Sequence, residues 1–147
     1  MDLQKILTRE RLANSEEVVV ALYEPSWDHT KQRGTNGTFK SPTQSVSRLG
    51  IYPIEEIVEI FRKSISAKIQ GYGVISVERI KAIGLSGDTP IHFEVTADPI
   101  QGGDEVVENL AHAEIIAFDS DKKETVRKKV TASACEKLCD AIEVTVI

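Results

Sequence analysis

Chemistry beyond packing, if this chain performs any, rests on a few side chains. His29, His92 and His112 are its only histidines. Histidines can ligate a metal or move a proton near neutral pH. Their spacing matches no standard ligand pattern. His112 stands within Glu108-Asn109-Leu110-Ala111-His112-Ala113-Glu114-Ile115-Ile116-Ala117-Phe118, the densest apolar run of the chain. A strand end beside an irregular loop is a common position for a working residue. A histidine hydrogen-bonded beside an apolar strand for structure alone is the plainer reading.

A second group is Ser45, Ser47 and Arg48. On an alternating strand Ser45, Ser47 and Leu49 share one face, and Val46 and Arg48 the other. Arg48 either lays its stem along apolar surface or holds a phosphate or carboxylate with its planar guanidinium. Between Asp28 and Glu55 there is no acidic residue, while Lys31, Arg33, Lys40 and Arg48 fall there. The candidate catalytic residues are therefore His112 and Ser47, and the candidate substrate-binding residues are Arg48, Lys40 and Arg33. Cys135 and Cys139 sit four apart on an expected helix, spaced for free thiols rather than a disulfide. Asp104, Glu105 and Glu108 lack the spacing of a calcium loop. Gly71, Gly73, Gly102 and Gly103 do not form a nucleotide fingerprint. No metal and no cofactor is expected.

The elements that must position these residues follow from periodicity. Glu17 to Tyr23 is short and β-branched, a buried strand. Residues 25–43 are rich in turn formers, so they form a long basic loop, either mobile or folded into a small hairpin around Asn36-Gly37. Trp27 and Phe39 could anchor its ends. Gln44 to Leu49 alternates as a half-buried strand. Pro53 opens a helix to about Ala67, with Ile54, Ile57, Val58, Phe61 and Ile65 as its stripe. Gly71-Tyr72-Gly73 reads as a flexible joint before a short strand at Val74-Ile75. Ser76 caps a helix from Val77 to Ile83 that Gly84 closes. Ile91 to Ala97 alternates and could pair with the run around His112 through a loop at Gly102-Gly103. Asp121-Lys122-Lys123-Glu124 resembles a capping box for a helix to about Leu138. Ala141 to Val146 closes as a strand. The expected fold is a single α+β domain over residues 1–147, a mixed, mostly antiparallel sheet with two main helices on one face.

At 147 residues the chain can bury a full core without metal or disulfide. Its net charge of -5 disfavours non-specific nucleic-acid binding. No window approaches the roughly 20 apolar residues of a membrane span, and no leader pattern opens the chain, so a cytoplasmic protein is expected. Acidic residues dominate from Asp98 to Glu124, opposing the basic loop.

Phe39 ahead of Ser45-Val46-Ser47-Arg48, then Gly73-Val74-Ile75-Ser76-Val77 running to Ile80 and Gly84-Leu85, then Asp98-Pro99 ahead of Asn109-Leu110-Ala111-His112-Ala113, resemble segments of small uncharacterised bacterial proteins. Those have a Ser-Val strand and an Asn-Pro-Ala-His-Ala segment; Leu110 stands here in place of the proline. The resemblance spans about Phe39 to Ile116 and carries no activity with it. It groups Ser47, Arg48 and His112.

Two functions are expected beside a third, plainer reading as a stand-alone structural domain with no site. The first is a binding or accessory module acting through protein–protein contacts or self-association, from its opposed charge surfaces. The alternative is a nuclease-like or transferase-like enzyme on a phosphate-bearing substrate, with Arg48 on the anion and His112 as acid/base.

Overall fold

A strand buried on both sides needs cover on both sides. In the computed structural model, which describes residues 2–147, α1 spans Leu3–Leu7 and β1 spans Glu17–Tyr23. Val18, Val20 and Leu22 of β1 belong to one apolar cluster, and Val19 and Ala21 to another. Next come β2 (Trp27–Asp28), β3 (Arg33–Gly34), a 3-10 turn (Asn36–Phe39) and β4 (Thr43–Arg48). They are followed by α2 (Ile54–Ser64), β5 (Ile69–Ser76), α3 (Val77–Leu85) and β6 (His92–Ala97). β7 (His112–Phe118), α4 (Ala132–Ala141) and β8 (Glu143–Val146) complete the chain. Six strands make one sheet in the order β6-β7-β4-β1-β5-β8, and β2 and β3 pair separately. Every pairing in both sheets is antiparallel. The architecture is α+β in one domain.

The helices divide between the faces. Ile80 and Ile83 of α3 and Leu138 of α4 pack with Val18, Val20, Val46 and Phe93. On the other face Ile57 and Phe61 of α2 pack on Val19, Ala21 and Ile69. Full burial of each such side chain is worth about 1.5–3 kcal/mol over exposure. Ile6 of α1 covers Ile116 and Phe118 further along that face. Between α1 and α2 a strip of β4 and β7 is left for polar side chains. The two-helix layer is thus α3 with α4, and the strong amphipathic helix after Pro53 lies across the sheet from it.

Several boundaries depart from local pattern, each for a tertiary reason. Pro53 is the N-cap of α2 rather than its first helical residue. Gly71 and Gly73 lie inside an eight-residue strand rather than a joint. A Cβ at Gly71 would stand 2.7 Å from the Thr145 carbonyl oxygen, and one at Gly73 2.7 Å from Ile142 Cδ1, so glycine there lets β8 and its approach close in. Gly84 sits within α3, where a Cβ would meet the Ile91 carbonyl oxygen at 2.4 Å; it seats the helix on the start of β6 rather than ending it. The helix expected from Asp121 begins at Ala132, capped by the Thr131 side chain on the Ala134 N–H. Before it, Val126 bridges to Phe118 and Lys123, with φ 58, reaches Glu94 at 2.9 Å, so sheet contacts override the apparent capping box. In the segment after Pro25 the hairpin turn falls at His29–Gln32, with Gln32 at φ 52, and Asn36-Gly37 opens the 3-10 turn. Trp27 and Phe39 are both buried.

Candidate active site

Val46 points into the α3–α4 side, so Ser45 and Ser47 point to the other. Ser47 lies opposite His112, and Ser45 opposite Glu114. The imidazole then leans along β4. Its Nε2 stands 3.2 Å from Ser45 Oγ, and its Nδ1 2.8 Å from the Asp98 carbonyl oxygen and 3.3 Å from Asp98 Oδ2. A carbonyl only accepts, so in the neutral ring Nδ1 carries the hydrogen. Nε2 is left as the acceptor for the Ser45 hydroxyl. Ser45 is solvent-exposed, whereas the His112 side chain is only 14% exposed. Arg9 braces the cluster, 3.6 Å from Asp98 and 2.7 Å from Glu114.

Asn109 organises the neighbouring serine. Its Nδ2 donates to Ser47 Oγ at 3.1 Å, and its Oδ1 accepts from the Ala111 N–H at 3.1 Å. With one lone pair so engaged, the Ser47 hydroxyl keeps its proton to donate. The loop that delivers both Asn109 and His112 is pinched shut by Ile100 and Asn109, whose N–H groups each donate to the other's carbonyl at 2.9 Å.

These groups open into a cavity of about 270 Å³ between β4, α2 and the 98–112 loop. Ile60, Phe61, Ile65, Ile100 and Val107 make its apolar wall; Ser45, Ser47, Asn109 and His112 make its polar floor. A second cavity of about 190 Å³ adjoins it, sharing Ala21, Tyr23 and Gln44 and bounded by Ser26, Gly37 and Thr38. Among the described residues, no Lys, Arg, Asp or Glu lines either one.

The cavities exist because two central strands part. The ladder between β1 and β4 holds only Val18 with Arg48 and Val19 with Ser47, extended by the Leu49 N–H donating to the Glu17 carbonyl. Odd-numbered residues of both strands therefore turn their main-chain groups toward each other. The next such pair, Ala21 and Ser45, is outside the ladder.

The structure brings His112 and Ser47 into one cavity. It does not bring Arg48, Arg33 or Lys40 there. Arg48 shares Val46's side of β4 and clasps Glu16 with two bonds of 2.9 and 3.1 Å. Arg33 pairs with Asp140 at 2.8 Å, and that hydrogen bond raises its already high pKa. Lys40 is exposed beyond the start of β4. The other histidines stand apart. His29 pairs with Glu24 on the hairpin. His92 lies opposite Phe118, six positions along β7 from His112, or about 20 Å at strand rise. Cys135 and Cys139 are free and buried; burial pushes the Cys139 thiol up to about 11. Among the described residues no cluster of His, Cys, Asp and Glu is placed to hold a metal, and no helix is long and apolar enough to cross a membrane.

Ser45, Asp98 and Asn109 belong to the site beside the expected pair. Ser45 was detectable from alternation, which puts it on the face of Ser47. Asp98 and Asn109 are signalled as polar residues bracketing the loop before His112 and as members of the segments that carry the resemblance, with no role attached to either. Compared with protein-family models, curated proteins and solved structures, the chain finds no match.

Proposed function

We propose that the chain is a small acyl-transfer enzyme, hydrolase or transferase, acting on a neutral small molecule. Ser45 is the nucleophile, His112 its general base, and Asp98 holds the ring through Nδ1. The observation that carries this reading is the 3.2 Å contact of Ser45 Oγ with an imidazole whose other nitrogen is already engaged, at the floor of an open cavity. His112 keeps the acid/base role read from sequence. The anion partner changes, because Arg48 is held by Glu16 and the cavity walls carry no formal positive charge that a phosphate would need.

A fluorophosphonate probe tests it directly, since such probes label serines activated by a base. Intact mass and peptide mapping should find one adduct, on Ser45, that is lost in Ser45→Ala and reduced at least tenfold in His112→Ala. Circular dichroism checks that both variants fold. Folded wild-type protein that takes no label, or labels equally after His112→Ala, sinks the reading.

A second reading is an interaction module that self-associates. It is favoured by the open edge of β8, where Val146 and Ile147 are 47% and 48% exposed. The opposed charge surfaces support it less, since Arg33, Arg48, Asp98, Glu114 and Asp119 all have partners within the chain. Light scattering that reads a monomer across a hundredfold concentration range removes this reading.

A further inference from the structure

We propose that the parting between β1 and β4 is an amide-binding cleft, and that the substrate is a neutral secondary carboxamide with a short apolar acyl arm. This rests on the acyl-transfer reading and adds the substrate class to it.

Three observations carry it. First, β1 and β4 turn the main-chain groups of Ala21 and Ser45 into the parting, beyond the last ladder pair at Val19 and Ser47. A trans amide points its C=O and N–H in opposite directions. It can therefore accept from the Ser45 N–H on one strand while donating to the Ala21 carbonyl on the other. An ester or a tertiary amide has no N–H for that second bond. Second, the nucleophile's own backbone N–H is where an oxyanion donor is needed, so the amide oxygen would lie against Ser45 N–H as Ser45 Oγ meets the carbonyl carbon. Third, the two cavities that share Ala21, Tyr23 and Gln44 differ. One is walled by Phe61, Ile65 and Val107 and suits an apolar arm. The other is bordered by Ser26, Thr38 and Gln44 and suits a small polar amine portion. A volume of about 270 Å³ falls just below the roughly 300–1,000 Å³ of ligand sites, which limits the arm to a few carbons.

The reaction closes as follows. Ser45 Oγ adds to the carbonyl carbon as its proton passes to His112 Nε2. The C–N bond breaks, and the nitrogen leaves as an amine with that proton. Water, or an acceptor hydroxyl or amine, then takes the acyl group from Ser45 and restores the hydroxyl through His112.

Binding can be read apart from turnover. Ser45→Ala protein is titrated with N-methylhexanamide, N,N-dimethylhexanamide, methyl hexanoate and N-methylacetamide, following backbone amide resonances. The secondary hexanamide should shift the amides at positions 21 and 45 and bind roughly three- to tenfold more tightly than the two ligands lacking an N–H. Each methylene of the arm should add about fourfold in affinity. Val107→Trp, a change in the irregular loop, should weaken the hexanamide at least tenfold and leave the acetamide within twofold. Equal affinity for the three hexanoyl ligands, or no shift at positions 21 and 45 at millimolar ligand, overturns the proposal. The fluorophosphonate experiment separates the two levels. Amide binding without labelling keeps the cleft and removes the nucleophile; labelling without amide selectivity does the reverse.

Discussion

Asn109 shows what a single buried amide holds in place. Its side chain satisfies the Ala111 N–H and donates to Ser47 Oγ in the same small space, and Ala111 is fully buried. Asn109→Ala should therefore cost about 1–3 kcal/mol, the penalty of stranding a buried donor, read as a lower urea midpoint with unchanged slope. A loss below half a kilocalorie would mean another group takes over the Ala111 N–H. The residue pattern points to this neighbourhood without resolving it. Alternation put Ser45 and Ser47 on one face, but which serine meets His112 depends on the ring leaning toward the Asp98 carbonyl, a contact across a loop that periodicity does not encode. By local pattern Arg48 is a fair anion candidate, but Glu16 already holds its guanidinium. A guanidinium's partner on a distant strand leaves no trace in local pattern.

Among the elements, the segment between β7 and α4 is held by charge. Burial by itself would raise the Glu94 carboxyl, yet the hydrogen bond from Lys123 and the charges of Lys123, Lys81 and Arg11 outweigh it, so its pKa falls below the ordinary 4.5. A carboxyl lower in the folded than in the unfolded chain stabilises above the unfolded value and loses that contribution as pH falls through the folded one. Glu94→Gln should therefore be less stable than wild type near neutrality, and the gap should shrink once pH drops below the usual carboxylate range. Urea melts at a series of pH values measure it; a gap that does not change with pH would show that the ionised pair contributes nothing. The same segment explains why local pattern predicts α4 too early. Asp121 to Glu124 has the composition of a helix start, and contacts such as the bridge of Val126 to Phe118, the Arg127 N–H on the Ala117 carbonyl and the reach of Lys123 to Glu94 keep it irregular. Elements decided by their own burial period are the readable ones: β1 matches to the residue, and α2 starts one residue later and ends three residues earlier than its pattern predicts. The glycine-rich stretch before Val74 is not readable in this way, because its glycines answer to neighbours rather than to turns.

At the scale of the molecule, the pairing of β6 with β7 follows from an alternating run and a dense apolar run joined by a loop, and the α+β class follows from the order of elements. Strand order and the side on which each helix lies do not, since both depend on which apolar face finds which partner. The two-residue ladder between β1 and β4 has a dynamic consequence. Solvent protection normally climbs toward the middle of a sheet. Here the amides of Ala21 and Ser45, on the two central strands, should trade hydrogen for deuterium on a timescale typical of loops, while those of Val19 and Ser47, two positions away, rank among the slowest. Exchange followed by NMR would record that inversion directly. Uniform protection along β1 would mean that the two leaves are zipped in solution. An inverted profile would mark this sheet as two three-stranded leaves sharing a short spine, with backbone as labile as a loop at its geometric centre.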